Sequence, residues 1–367
     1  MKNAYISSQI SEEQTAERLL AHYRAYPHIT PQDIFKFLHQ STFGCEHLVT
    51  DEQTAIERIR KEADGLGALD ATIKIEPLDG DFSRVHLDCL TAGLSAQTLG
   101  KLLCLSSTLC THNVDELEKK LDVARRLVAE HRLPFDEQSF ADTLDVWKGQ
   151  GYTALHHSDA FRAEYCPAYR VIHNRYIPFI PLLARLDVLL TKGQVLLAIE
   201  GGSASGKSTL GDILQSIYGC TVCHMDDFFL RPEQRTPKRL AKVGGNIDIE
   251  RFLEEILIPL KNGTAVNYRR YDCSTATILP AIEVSSTPLT VIEGAYSMHP
   301  LAQGYYDLSV LLDVEPDTQR KRIQKRNSPP MAELFFAEWI PMEQRYFTQT
   351  DIRSRCDMII PVTDCDM

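Results

Sequence analysis

The stretch VLLAIEGGSASGKST, residues 195–209, decides the fold. Residues 195–199 form an unbroken apolar run, as expected of a strand buried on both faces of a parallel sheet. Directly after it, residues 201–208 fit G-x-x-x-x-G-K-[ST] at every position and open a helix. Glycines there let the backbone wrap a β-phosphate closely with its N–H groups pointing inward. The helix N-terminus adds the positive end of its dipole. In this reading Gly201, Gly202, Ser203, Ala204, Ser205, Gly206, Lys207, Ser208 and Thr209 hold a nucleotide. Lys207 reaches the β- and γ-phosphates, and the Ser208 hydroxyl meets Mg²⁺. The alternative, a glycine-rich turn that binds nothing, is disfavoured by the full pattern in its proper strand-to-helix context.

Outward from this loop, helix and strand alternate. Helices are expected over 208–218, 249–260 and 317–325, and strands over 221–225, 289–292, 308–312 and 358–360. That order predicts an α/β fold, a P-loop NTPase three-layer parallel sheet over residues 194–367. The first half, residues 1–187, reads as a mainly helical (α+β) domain joined through a linker at 188–193. Helical spacing covers 15–26, 31–39, 52–64, 96–106, 114–130 and 182–190, with short strands at 73–75 and 83–87.

A phosphate-binding loop alone does not choose between kinase, GTPase, transport ATPase and motor. The second half has no N-K-x-D guanine-reading motif, no LSGGQ-like signature and no apolar strand ending in Asp-Glu. The choice comes from the acceptor side. The second strand ends in His224-Met225-Asp226-Asp227-Phe228-Phe229, and strand carboxyl ends open onto the ligand crevice of a doubly wound sheet. Asp226 therefore points at the γ-phosphate and supplies the carboxylate that takes a proton from an attacking hydroxyl; Asp227 reads as a turn residue. Glu293 ends another strand, facing Lys207 and the metal, and supports Mg²⁺ or substrate. Arg322 and Arg326, four apart on one helix face, are placed to offset charge on a transferred phosphoryl group. The rival reading of that face is simple solvation.

These segments (GGSASGKST, MDDFF, VIEGAYS, DTQRKRIQKRN and CDMIIP) resemble the uridine kinase family, related to nicotinamide riboside kinase, pantothenate kinase and phosphoribulokinase, over about residues 194–363. The likeness to nicotinamide riboside kinase lies around MDDFF and Trp339-Ile-Pro-Met-Glu343. The resemblance implies Asp226 as catalytic base and the strand-end role of Glu293. It also makes Asp248, Tyr271 and Asp272 candidates for gripping a ribose-like diol, although the family's D-H-P-D-A-F-D-like segment and its His after Tyr-Asp are absent. Asp248 reads equally well as a helix N-cap. The expectation is an ATP- and Mg²⁺-dependent kinase acting on a nucleoside hydroxyl, uridine or cytidine first. The alternatives are another small hydroxyl acceptor (nicotinamide riboside, pantothenate, a sugar phosphate) or a regulator that senses ATP without turnover.

Composition sets the outer limits. Of 367 residues, 44% are hydrophobic and 24% charged, ordinary for a soluble globular chain. A net charge of -11 disfavours nucleic acid as a partner. No apolar stretch is long enough for a membrane span or a signal peptide, so the expected location is cytoplasmic; a homo-oligomer is left open. The ten cysteines are scattered, and Cys220 and Cys223 read as buried thiols in a strand. His39, Cys45 and His47 form a local cluster, with His156, His157 and His173 later, read as packed histidines in preference to a metal site. The run from Tyr165 to His173, YCPAYRVIH, looks like a motif without an evident mechanism.

Overall fold

The computed structural model describes residues 12–45, 51–67 and 69–363. The chain divides into two compact units, Met1–Arg185 and Leu186–Met367.

The first unit is helical around a small sheet. Helices α1 (Glu12–Ala25), α2 (Pro31–Phe43), α3 (Glu52–Asp64), α4 (Ala96–Ser107) and α5 (Val114–Ala129) stand where apolar residues recur at helical spacing. Their buried faces carry Leu19, Ile34, Leu38, Ile59, Leu102, Leu117 and Leu121. Thr30 starts α2 before Pro31, its N–H donating to Asp33 Oδ2 at 3.0 Å, and Asn113 caps α5 through Glu116 N–H. Two further helices, α6 (Glu137–Gly149) and α7 (Asp159–Tyr165), lie outside the sequence expectation. So does β3 (Tyr169–His173), which completes an antiparallel sheet β1-β2-β3 with β1 (Ile75–Pro77) and β2 (Phe82–His86). Val85 faces Ile75 on one side and Arg170 on the other. The YCPAYRVIH run is thus the end of α7, a turn and β3. Helix α8 (Ile180–Leu190) crosses the division between the units, so the proposed linker begins inside a helix.

The second unit is an α/β fold on a five-stranded parallel sheet. Its strands are β4 (Val195–Gly201), β5 (Thr221–His224), β8 (Leu289–Glu293), β9 (Leu308–Val314) and β10 (Met358–Val362), in the order β10-β9-β4-β8-β5. Between β5 and β8 an antiparallel hairpin intervenes, β6 (Val266–Asp272) and β7 (Thr277–Val284), which the sequence reading missed. Helix α9 (Lys207–Tyr218) follows β4. The helical stretch from Ile249 contains a π-turn at Leu253–Leu257, and three consecutive helical pieces run from Pro329 to Gln349. Ala198, Cys223, Met225, Phe228, Phe252, Ile292 and Tyr346 share one buried cluster. Each fully buried Phe there is worth about 1.5–3 kcal/mol relative to exposure.

Register brings the chemistry-bearing ends together. Ile199 and His224 each pair with Glu293, and Gly201 with Leu312, so β4, β5 and β8 finish on one edge. Among the described residues no helix is long and apolar enough to cross a membrane.

Candidate active site

The phosphate loop leaves β4 at Gly201 and enters α9 at Lys207. A Cβ at Gly201 would stand 2.8 Å from the Leu312 carbonyl and 2.6 Å from Ser205 Oγ, so no side chain fits. Ala204 and Gly206 both have left-handed backbone, φ 58° and 96°. For alanine that conformation carries strain, held by the surrounding loop. The Ser205 hydroxyl is buried without a hydrogen-bond partner, and the Lys207 ammonium folds back to donate to the Gly202 carbonyl at 2.9 Å. Narrow backbone, a buried unsatisfied hydroxyl and a lysine held by its own loop fit a polyphosphate cradle.

Glu200, immediately before the loop, is fully buried. Its carboxylate accepts from the N–H groups of Gly201, Tyr296 and Met298 and from the Tyr346 hydroxyl, tying β4 to the turn after β8. Burial pushes its pKa up to about 7 against those donors. Sequence reading ended the strand at Ile199 and passed over Glu200. The available signal was a carboxylate set directly between an unbroken apolar run and the glycines of the loop.

Beyond the sheet edge, β5 ends at His224 and a 3₁₀ turn carries Met225–Phe228. The Asp227 carboxylate accepts from the Tyr268 hydroxyl at 2.9 Å, and its carbonyl accepts from Arg251 Nη2 at 2.6 Å. Among the described residues none donates a hydrogen bond to the Asp226 carboxyl. Crowding by protein raises its pKa, with Lys207 opposing and the Glu293 charge adding. Glu293, 5% exposed, accepts from the Ser208 hydroxyl at 3.2 Å and is hydrogen-bonded to His224 Nδ1. That contact raises the His224 pKa.

Two oxygens of a six-coordinate Mg²⁺ lie about 2.9 Å apart, and the ion keeps several waters. The Ser208 and Glu293 oxygens, 3.2 Å apart, fit that spacing and that hard-oxygen chemistry. Among the described residues no group of three or more His, Cys, Asp or Glu is arranged to hold a metal.

The arginine helix, Pro316–Arg326, reaches the loop with some of its side chains only. Arg322 Nη1 donates to the Ala204 carbonyl at 3.4 Å and Nη2 to Thr363 at 2.9 Å. Arg326 is exposed, its guanidinium 5.7 Å from the Phe335 ring centre. Gln319, which was not singled out, donates to the Ser203 carbonyl at 2.8 Å. Glu343 accepts from the Ser203 N–H (2.9 Å) and hydroxyl (2.6 Å), and burial raises its pKa. The three residues suggested for a diol are occupied locally. Asp248 caps the helix at Ile249 and accepts from Gln234. The Tyr271 hydroxyl accepts from Arg235 at 3.4 Å, and Asp272 accepts from Ser274 and Thr275 in the hairpin turn.

Outside this region the described cysteines are free thiols. Burial pushes Cys220 and Cys223 up to about 11 and 12, as inert thiols require. His39 packs edge-on against Phe43, and Cys45 is buried beside Cys110. His47 lies outside the described residues.

Several known proteins share parts of this chain. It is 30% identical over 165 residues to a thymidylate kinase of Rickettsia canadensis (strain McKiel), covering 38% of this chain and 73% of the relative. A thymidylate kinase of Rickettsia africae (strain ESF-5) is 29% identical over 155 residues, covering 36% and 70%. Among solved structures, a possible uridine kinase from Bacillus stearothermophilus is 21% identical with a TM-score of 0.37, covering 49% of this chain and 98% of that one. Residues 196–327, within the C-terminal unit, match the model of the Phosphoribulokinase / Uridine kinase family, a family of P-loop kinases.

Proposed function

We propose that the C-terminal unit is a Mg·ATP-dependent kinase that transfers the γ-phosphoryl group to a hydroxyl of a small molecule, with a nucleoside, uridine or cytidine, as first acceptor. One observation carries this reading. The phosphate loop, the Ser208–Glu293–His224 contact and Asp226 stand on the same edge of one parallel sheet. Loop residues 201–209 grip the triphosphate, and Lys207 swings from Gly202 to the β- and γ-phosphates. Ser208 and Glu293 hold Mg²⁺, which neutralises charge between the phosphates. Asp226 orients the acceptor hydroxyl and takes its proton; its raised pKa suits a group that must gain one. Arg322, already at the loop, turns to the transferred group, and Arg326 joins it when the helix shifts. Asp248, Tyr271 and Asp272 are the candidates for a ribose contact, which each makes only by giving up its local partner.

The test is ADP release by the whole chain with Mg·ATP across uridine, cytidine, thymidine, nicotinamide riboside, pantothenate and a sugar phosphate. Acceptor-dependent release with a pyrimidine nucleoside is expected. Asp226→Asn is expected to lower kcat about 10²–10⁴-fold with little change in ATP affinity. Release of ADP with no acceptor, or full activity in Asp226→Asn, overturns the assignment.

A further inference from the structure

The N-terminal unit contains a buried charge network that phosphoryl transfer does not use. Arg84, in the middle of β2, has no exposed surface. Its guanidinium donates to Gln40 Oε1 from Nε (3.0 Å) and Nη2 (2.8 Å) and to Glu76 Oε1 from Nη1 (3.1 Å). Three of its five N–H groups are thereby used, and two remain. The Tyr169 ring lies 4.6 Å from the guanidinium carbon. Glu76 also meets His22 Nδ1 at 2.8 Å and the Tyr26 hydroxyl at 3.3 Å. A second chain links Asp33 to His157 Nδ1 (2.9 Å) and His157 Nε2 to the Tyr169 hydroxyl (2.6 Å). Burying such groups costs several kcal/mol per ion, and an apolar core would be no less stable.

The network opens on a cavity of about 250 Å³. One wall is aromatic: Tyr26, Phe161 and Tyr165 lie with ring centres 4.9–5.1 Å apart. Arg84 and Tyr169 line it, and His86, 8% exposed, presents there an Nε2 with no hydrogen-bond partner, 3.8 Å from Glu76. The rim carries one cation, Lys74, and one anion, Asp88. Cys166, also in the lining, ends α7 as a left-handed C-cap at φ 42°, its N–H donating to the Arg162 carbonyl at 3.2 Å.

We propose that this cavity is a second small-molecule site, belonging to the N-terminal unit alone, and that it takes a zwitterionic amino acid with an aromatic side chain. The ring packs on the Tyr26, Phe161 and Tyr165 wall. The carboxylate pairs with Lys74 at the rim, above the buried Arg84 and His86, and the ammonium faces Asp88. Arg84 is already paired with Glu76, so the charges the rim offers a ligand are Lys74 and Asp88, one of each sign, which favours a ligand that carries both.

The test is calorimetric titration of the whole chain with L-phenylalanine, 3-phenylpropionate, which lacks the ammonium, and phenethylamine, which lacks the carboxylate. Saturable binding of L-phenylalanine is expected, with each half-charged analogue weaker by about tenfold or more. Lys74→Met and Asp88→Asn, both at the accessible rim, each weaken it by a similar factor. Lys207→Ala, a change in the phosphate loop, leaves it unchanged, so failure here and failure of the kinase reading are distinguishable. No saturable binding, equal binding of either analogue, or wild-type affinity in both rim variants overturns the proposal.

Discussion

Glu343 puts a carboxylate where the loop would present donors to a phosphate, its two oxygens taking the N–H and hydroxyl of Ser203. A nucleotide must displace it or crowd against a like charge. Glu343→Gln is therefore expected to tighten ATP binding severalfold, since one partly screened repulsion at close range is worth about 1 kcal/mol. Calorimetric titration with ATP checks this, and unchanged affinity removes Glu343 from the loop's control. His224 competes with a cation for Glu293: their hydrogen bond raises its pKa above the ordinary imidazole value and favours its protonated form. Below that pKa the proton wins and above it the metal does. The Mg²⁺ concentration needed for half-maximal ATP binding should fall as pH rises past the ordinary imidazole value of about 6.5 and beyond it, and His224→Asn should flatten that dependence.

At the scale of elements, the site depends on how closely the turns after β5 and β8 approach. Gly294 has φ 147°, donates its N–H to the Ile199 carbonyl at 3.1 Å, and leaves room for Met225. A Cβ at Gly294 would lie 2.5 Å from the Met225 Cβ. Gly294→Ala must push the turn that carries Asp226 off the sheet edge. The expected result is about 1–3 kcal/mol of lost stability with a larger proportional loss in kcat than in ATP affinity. Denaturant melts and steady-state kinetics on one preparation separate the two effects. Loss of stability without loss of kcat would show that Asp226 is not held by this contact. The helix Pro316–Arg326 makes a complementary point: helical spacing put Arg322 and Arg326 on one face, yet only Arg322 touches the loop. A shared face sets direction, while the distance to the loop depends on where the helix is anchored.

At the scale of the whole molecule, acid stability should follow buried neutral histidines. Burial lowers His157, His173 and His299 to about 4, against about 6.5 when unfolded. A depressed folded pKa contributes stability that is complete above pH 6.5 and is lost as pH falls toward 4. Tm should fall steadily across that window, and His157→Gln with His299→Gln should reduce the slope; an unaltered slope would sink this account. The phosphate loop, the buried strands around it, most helices of the first unit and the α/β character of the second were legible in the chain. These follow from patterns local in the chain: an apolar run, a 3.6-residue period, a glycine where backbone must turn. The hairpin Val266–Val284 escaped because its first strand breaks alternation at Arg269–Tyr271, its second buries no residue fully, and its turn, Cys273 to Ala276, lacks glycine. Tertiary structure alone decided which charges meet. Glu343 and Ser203 are 140 positions apart, and Asp33 and His157 are 124 apart. Such partners have no signature in spacing, because a buried carboxylate is fixed by whichever donors the packed core brings within about 3 Å.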